Sequence, residues 1–314
     1  MNINYIILAH QNPTQVGRLV NALNVKNTFF YIHIDKKSQI EPFLKEVNHF
    51  ENVYFFNEDR VNVIWGDISQ VEATLLSISK IISDGRDGYT VLMSGQDYPI
   101  KSNKYIFEFF LKNYGKNFIR SKPIEEVWKE KSVFYRVHKY TFHLIDTMRT
   151  RTSIVDIYNK EFFSIPNLKS LAKVLISKER RHAFNIFFIR KFPESMKAYG
   201  GNQWWAFPIE TIKYIDGFVE KNKFYLEYHK FTHIPDEIFF QSIISNYFDE
   251  NAIKDTITFV DWSAKNRPLP VTFNSSDLED LKAKKDHLFA RKFNGDTQIL
   301  DEIDSYLLDQ LDLK

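Results

Sequence analysis

Apolar and polar positions fall into two kinds of block along the first hundred residues, and the blocks have different periods. Residues 5–9, 28–34 and 53–56 are short apolar runs rich in β-branched and aromatic side chains, with no strict alternation. Such runs predict strands buried on both faces of a sheet. Residues 14–23 and 40–47 carry helical patterns between them. A longer helix is predicted over 68–82, apolar at Ile68, Val71, Leu75, Ile78, Ile81 and Ile82. Alternation of strand and helix predicts a mostly parallel sheet with right-handed crossovers. A fourth run, 89–93, stops at Ser94-Gly95, and Pro99 forbids a regular continuation. Ser102 is placed to cap a following helix, Asn103–Lys112.

Ligands of open α/β sheets sit just beyond the carboxyl ends of the strands. Gln96, Asp97 and Tyr98 are therefore presented where chemistry is expected, although a polar loop tip accounts for them as well. Asp35 ends the second strand, where an acid can bind ribose hydroxyls or a base edge through charge-assisted hydrogen bonds. An exposed loop acid beside Lys36 and Lys37 is the plainer account. His10 occupies the matching place after the first strand. Trp65-Gly66 suggests an aromatic at a tight turn near the sheet edge, or a packed core tryptophan. Neither a Gly-x-Gly-x-x-Gly fingerprint nor a P-loop follows the first strand, so another device would have to hold a nucleotide's phosphates.

Regularity fades over 119–199, which is basic and aromatic: Arg180-Arg181-His182 and Arg190-Lys191 lie among Phe184, Phe187 and Phe188. It returns at Gly200-Gly201-Asn202-Gln203-Trp204-Trp205. Residues 203–207 read as a strand, with Gln203, Trp205 and Phe207 on one face and Trp204 and Ala206 on the other. One tryptophan is then core and the other faces a cleft. Pro235 suits a first helical turn, so Asp236 and Glu237 are expected at the start of a helix running through Tyr247. Either the helix dipole or a role as general base explains acids there. His229 and His233 lack a third ligand at motif spacing, which argues against zinc. Further on, Arg291-Lys292 is flanked by Phe289 and Phe293, a setting in which fixed charge could neutralise a diphosphate. Residues 298–313 read as a closing helix.

Composition narrows the functional classes. The 314 residues carry a net charge of only +2, so nucleic acid is not an expected partner. There are no cysteines, which excludes disulfides and thiolate metal sites. No apolar run approaches 18 residues, so no integral membrane segment is expected. The start has no signal-peptide layout, and a cytoplasmic protein, at most peripheral at the inner membrane, is expected.

Several short motifs follow one another along the chain: Trp-Gly-x-x-Ser, Ser-Gly-Gln-Asp-Tyr-Pro-Ile-Lys-Ser, Pro-Asp-Glu, Val-Asp-Trp and Phe-Ala-Arg-Lys-Phe. This ordered set resembles the core-2/I-branching β-1,6-N-acetylglucosaminyltransferases. Gly-Gly-Asn-Gln-Trp-Trp is similar to the version found in the peptide O-xylosyltransferases of the same family. The resemblance implies a GT-A-like α/β fold of one domain: a Rossmann-like nucleotide-sugar half (1–118), a variable insertion (119–199) and an acceptor and catalytic half (200–314). It implies inverting transfer of a sugar, GlcNAc or xylose, from a UDP-sugar to a hydroxyl of a glycan acceptor. No metal or other cofactor is implied, and no Asp-x-Asp occurs in the chain.

By the same resemblance Glu237 is the catalytic base. Lys292 with Arg291, and Arg267 from upstream, would bind the diphosphate. His10, Asp35 and Trp65 would hold the uridine, and Asp97, Gln203, Trp205 and Trp262 would face the donor sugar or acceptor. Where the branching enzymes carry a tyrosine two residues after the tryptophan, this chain has Ala264, which leaves the acceptor open. The Asn-, Lys-, Ile- and Phe-rich composition suits a bacterial enzyme of surface-polysaccharide synthesis. A metal-dependent GT-A enzyme and a non-catalytic carbohydrate- or nucleotide-binding protein are the alternatives.

Overall fold

The computed structural model describes residues 1–145 and 150–312. Twelve strands occur among them: β1 Ile3–Ala9, β2 Thr28–Ile34, β3 Val53–Phe55, β4 Tyr89–Ser94, β5 Asp97–Pro99, β6 Asn117–Pro123, β7 Tyr140–His143, β8 Arg151–Ile154, β9 Tyr199–Pro208, β10 Ile253–Lys254, β11 Thr258–Val260 and β12 Phe289–Arg291. Seven form the central sheet, in the order β10-β6-β9-β4-β1-β2-β3. Its neighbours pair in parallel except around β9, which runs antiparallel to both β4 and β6. The mixed α/β class, the mostly parallel sheet and the flanking helices are those expected from the apolar pattern.

The apolar runs lack alternation because both faces of the sheet are covered. On β1, Ile3, Tyr5, Ile7 and Ala9 face one core, closed by the helices Pro13–Leu23 and Asn103–Lys112 and the terminal helix Thr297–Asp312. Ile6 faces the other core, under the helices Ser69–Ser83, Ile209–Lys221 and Phe239–Tyr247. Truncating a residue as buried as Ile7 would cost about 2–5 kcal/mol. Ser102 caps its helix, its hydroxyl accepting from the Tyr105 N–H at 3.4 Å. Leu313, the expected end of the closing helix, lies outside the described residues.

Two elements differ from expectation at the mouth of the sheet. Residues 97–99, expected as an irregular loop, form β5, which pairs antiparallel with β12 in a three-stranded sheet with β11. Proline is tolerated there because β5 is an edge strand of that sheet. The Pro235 helix start is a separate 3-10 turn, Pro235–Glu237, and Ile238 (φ −130°) breaks it from the helix Phe239–Tyr247. Glu237 therefore projects from a tight turn, whose entry residue Ile234 has φ +56°. A β-branched residue in that left-handed region is strained.

Candidate active site

Three loops meet beyond the carboxyl ends of β1, β2 and β4. The Asp35 N–H donates to the Ala9 carbonyl at 2.9 Å, and the Ser38 hydroxyl donates to the His10 carbonyl at 2.8 Å. The buried Asp35 carboxylate accepts from the N–H groups of Lys37 (3.1 Å) and Val63 (3.3 Å) and pairs with the Lys37 ammonium at 3.0 Å. It thereby fixes the segment leading to Trp65, whose half-exposed ring lies 5.3 Å from the Arg151 guanidinium. His10, Asp35 and Trp65 thus lie along one end of a shared mouth.

The Lys292 loop is tied to the middle of that mouth. The Phe293 N–H donates to the Gln96 carbonyl at 2.9 Å. Gln15, near the start of its helix, donates to the carbonyls of Gly95 (3.1 Å) and Phe293 (3.2 Å). Asn12 reaches Asn294 at 2.9 Å. Lys292 is half-buried and has no ion pair among the described residues. Its two expected partners are differently employed. Arg291 turns inward, 3.5 Å from Asp97 and 4.0 Å from the Trp204 ring centroid. Arg267 is bound by both oxygens of Asp277, at 2.7 and 2.9 Å, and donates to the Thr272 carbonyl. Residues 271 and 273 in turn hydrogen-bond the Lys292 backbone, so Arg267 braces the lysine's strand and its own charge is offset by Asp277.

Asp97 and Trp205 also depart from their expected places. Asp97 is wholly buried in β5, accepts from the Ser94 N–H at 3.0 Å, and is pushed up to about 6 by burial, which the nearby Arg291 only partly offsets. Trp205 is core, 1% exposed and stacked on Phe207 at 4.3 Å, in the cluster beneath the helices Ile209–Lys221 and Phe239–Tyr247. Trp204, the partner of Arg291, is also buried, though less deeply, at 8% exposed. Gln203 is half-buried with no side-chain hydrogen bond among the described residues, and Trp262 is 62% exposed.

Glu237 occupies the opposite end. β9 is antiparallel, so its first residues, Gly200 to Gln203, lie at the same edge as the ends of β1 and β4. The Ile234 N–H donates to the Gly66 carbonyl at 3.0 Å, which joins the Glu237 turn to the Trp65 segment. Gln241 donates to the carbonyls of Asn202 (2.8 Å) and Asp236 (3.4 Å), joining it to β9. The Glu237 side chain is 31% exposed, with the Arg136 guanidinium 3.6 Å away. Arg136 donates to the His233 carbonyl at 3.2 Å and lies 4.1 Å from the Trp128 ring. Trp128 packs so close to β9 that a Cβ on Gly200 would stand 2.3 Å from it, and one on Gly201 would stand 1.7 Å from the Arg120 carbonyl oxygen. Gly200 is thus what admits the aromatic shelf beneath Arg136, while Gly201 admits the neighbouring β6 backbone.

Burial raises both adjoining carboxyls well above the ordinary range. For Glu237 the neighbouring Asp236 adds to the rise and Arg136 opposes it. Asp236 is buried, and among the described residues its Oδ1 has no hydrogen-bond donor. Burial, reinforced by Arg151 and Arg136, pushes His233 down to about 3, so it is neutral. His233 lies past the end of the helix Lys223–His229, so the two histidines do not share a helical face. A half-buried acid with elevated proton affinity that remains partly exposed can accept and release a proton near neutral pH. Sequence reasoning missed Arg136 and Trp128, which sit in the irregular 119–199 stretch without a motif. The only signal pointing to them was the unusual Gly200-Gly201 pair.

A mostly parallel α/β sheet with adjoining carboxylates and, among the described residues, a lysine without an ion pair at its carboxyl edge marks the candidate site of an α/β domain. The chain belongs to the Core-2/I-Branching enzyme family, whose model matches residues 3–285. Xylosyltransferases, members of that family, are among its relatives. A "Xylosyltransferase" of Ciona intestinalis is 23% identical, covering 100% of this chain and 34% of the relative. Xylosyltransferase 1 of Rattus norvegicus is 22% identical over 98% of this chain and 35% of its own length. Xylosyltransferase 2 of Mus musculus is 31% identical over 38% of this chain and 14% of its own length. The chain thus spans about a third of the length of the relatives it matches most fully. Among solved structures, 4-diphosphocytidyl-2C-methyl-D-erythritol synthase from Anaerococcus prevotii covers 90% of this chain and 95% of its own at 12% identity, with a TM-score of 0.39. That likeness is too loose to superpose sites.

Proposed function

We propose that this chain is an inverting, metal-independent glycosyltransferase that moves a sugar, GlcNAc or xylose, from a UDP-sugar to a hydroxyl of a glycan acceptor. The observation that carries the proposal is Glu237: a partly exposed acid of raised proton affinity, 3.6 Å from Arg136, in a chain of the Core-2/I-branching family. The acceptor oxygen attacks the anomeric carbon from the face opposite UDP. The new glycosidic C–O bond forms as the bond from the anomeric carbon to the β-phosphate oxygen breaks, and UDP leaves with that electron pair. Glu237, ionised, takes the acceptor proton, a contribution of ~10²–10⁴-fold.

Lys292 offsets the charge growing on the diphosphate, with Arg267 holding the lysine's strand in place. His10, Asp35 and Trp65 line the uridine end. Gln203 and Trp262 border the sugar and acceptor, with Trp204 taking the place first given to Trp205. The Lys292 cation, given the diphosphate role, and the lack of an Asp-x-Asp motif support metal independence. Synthesis of bacterial surface polysaccharide, from the cytoplasmic side, is the setting this reading favours. The test is a thermal-shift panel of nucleotide sugars with and without EDTA, followed by turnover of the stabilising donor. Ligands that bind the folded state raise its melting temperature. Stabilisation by a UDP-sugar that survives EDTA, with transfer and an inverted product anomer, is expected. A strict Mn²⁺ requirement or a retained anomer would overturn the proposal.

A further inference from the structure

The helix Ile165–Leu175, which lies between β8 and β9, is turned the wrong way round for a soluble surface. Its polar Asn167 faces inward, accepting from the Val155 N–H at 3.0 Å and donating to the Phe162 carbonyl at 2.9 Å. Val174 is buried on the same side. These contacts, with the Ser164 cap, pin the helix in rotation. At 100° per residue the opposite face carries Ile165, Leu168, Ala172 and Ile176, with Leu175 at its edge. All five are exposed, Ile176 at 88%, and Phe163 just before the helix is 78% exposed. The 3-10 segment Lys178–Phe187 packs beside the helix and leaves Phe184, Phe187 and Phe188 exposed as well.

Charge identifies the partner. Lys169 and Lys173 flank the apolar stripe on one side, the arrangement in which lysine stems lie along apolar surface while their ammonium groups reach polar headgroups. Residues 158–191 hold eight Lys or Arg against two Asp or Glu, a balance of +6 in a chain whose net charge is +2. Of these, Arg190 is buried against Tyr228, 4.0 Å from its ring centroid, whereas Arg180, Arg181 and Lys191 are exposed. An apolar stripe rimmed by unbalanced positive charge matches the boundary between acyl chains and anionic headgroups.

We infer that this face of the 158–191 region docks the protein on an anionic lipid bilayer, with the Ile165–Leu175 helix lying in the plane of the interface. The inference does not depend on the catalytic reading, because none of these residues is placed in the active site. No helix of the described residues is long and apolar enough to cross a membrane, so the contact is one-sided.

Co-sedimentation of the full chain with unilamellar vesicles tests it. Binding is expected to phosphatidylglycerol vesicles, weakly if at all to phosphatidylcholine, and to weaken as salt is raised. The double substitution Lys169→Glu/Lys173→Glu should reduce affinity at least ~10-fold, and Ile165→Ser/Ile176→Ser should reduce it comparably. Both variants should melt like the unsubstituted protein, since all four side chains are exposed. The inference is overturned if the chain stays in the supernatant with phosphatidylglycerol at low ionic strength, or if both variants bind undiminished. It is equally overturned if the chain forms a dimer in solution that Ile165→Ser/Ile176→Ser abolishes, which would make a second copy the occupant.

Discussion

The two ends of the sheet mouth each present a buried acid, and they treat it in opposite ways. Asp35 receives two backbone N–H donors and an ammonium at 3.0 Å. Asp236 and Glu237 share a tight turn, and between them have, among the described residues, one guanidinium at 3.6 Å and an oxygen with no donor. Donors and cations stabilise a carboxylate, whereas burial without them stabilises the acid. The Asp35 end is therefore built to hold a fixed loop. The Glu237 end is built to change protonation, at some cost to stability, and the left-handed Ile234 adds strain at the same place.

Substitution at each end should separate these roles. Glu237→Gln keeps shape but cannot take a proton, and should lower kcat by ~10²-fold or more with donor affinity retained. Asp35→Asn should do the reverse, weakening UDP binding more than kcat; parity between the two would erase the contrast. Lys292→Ala should weaken UDP binding by about 10–100-fold, as for loss of a charged hydrogen bond, measured by calorimetry without divalent metal. Trp262→Ala should raise the acceptor KM ~10-fold with the donor KM unchanged, as loss of a stacking face implies.

The smallest effect is on stability. A carboxyl whose folded proton affinity is raised binds more protons folded than unfolded above the ordinary glutamate range. Stability therefore falls as pH rises from that range toward the raised folded value, and the cost persists above it. Glu237→Gln removes that cost. Its melting temperature should exceed that of the unsubstituted protein by roughly 2–4 °C at alkaline pH, with the gap closing at acidic pH. An equal gap at both pH values would mean that burial does not strain this carboxyl.

How much of this was legible beforehand depended on the kind of signal. Strands β1, β2 and β4 were readable because two covered faces demand uninterrupted apolar runs. Glu237 was readable through a short local motif. Trp205 was given the cleft role although it is core, because period two puts it and Trp204 on opposite faces but does not say how deeply each is buried. Arg291 and Asp97 read as cleft residues, since a one-dimensional pattern cannot show that β5 and β12 pair and bury both side chains against each other. Arg136 was invisible: it lies 101 positions before Glu237, brought there by the Trp128 shelf over Gly200, and such long-range meetings leave no local spacing to read.

The central claim is that Glu237 acts as a base whose proton affinity is set by Asp236 and Arg136. The most direct test is the pH dependence of kcat/KM for the unsubstituted protein and for Asp236→Asn. The account predicts activity rising with pH along a limb above the ordinary carboxylate range, because the ionised form works. That limb should move to lower pH in Asp236→Asn, where a neighbouring negative charge is gone. A limb that stays in place in Asp236→Asn, or a flat profile from acid to neutral pH, would contradict it.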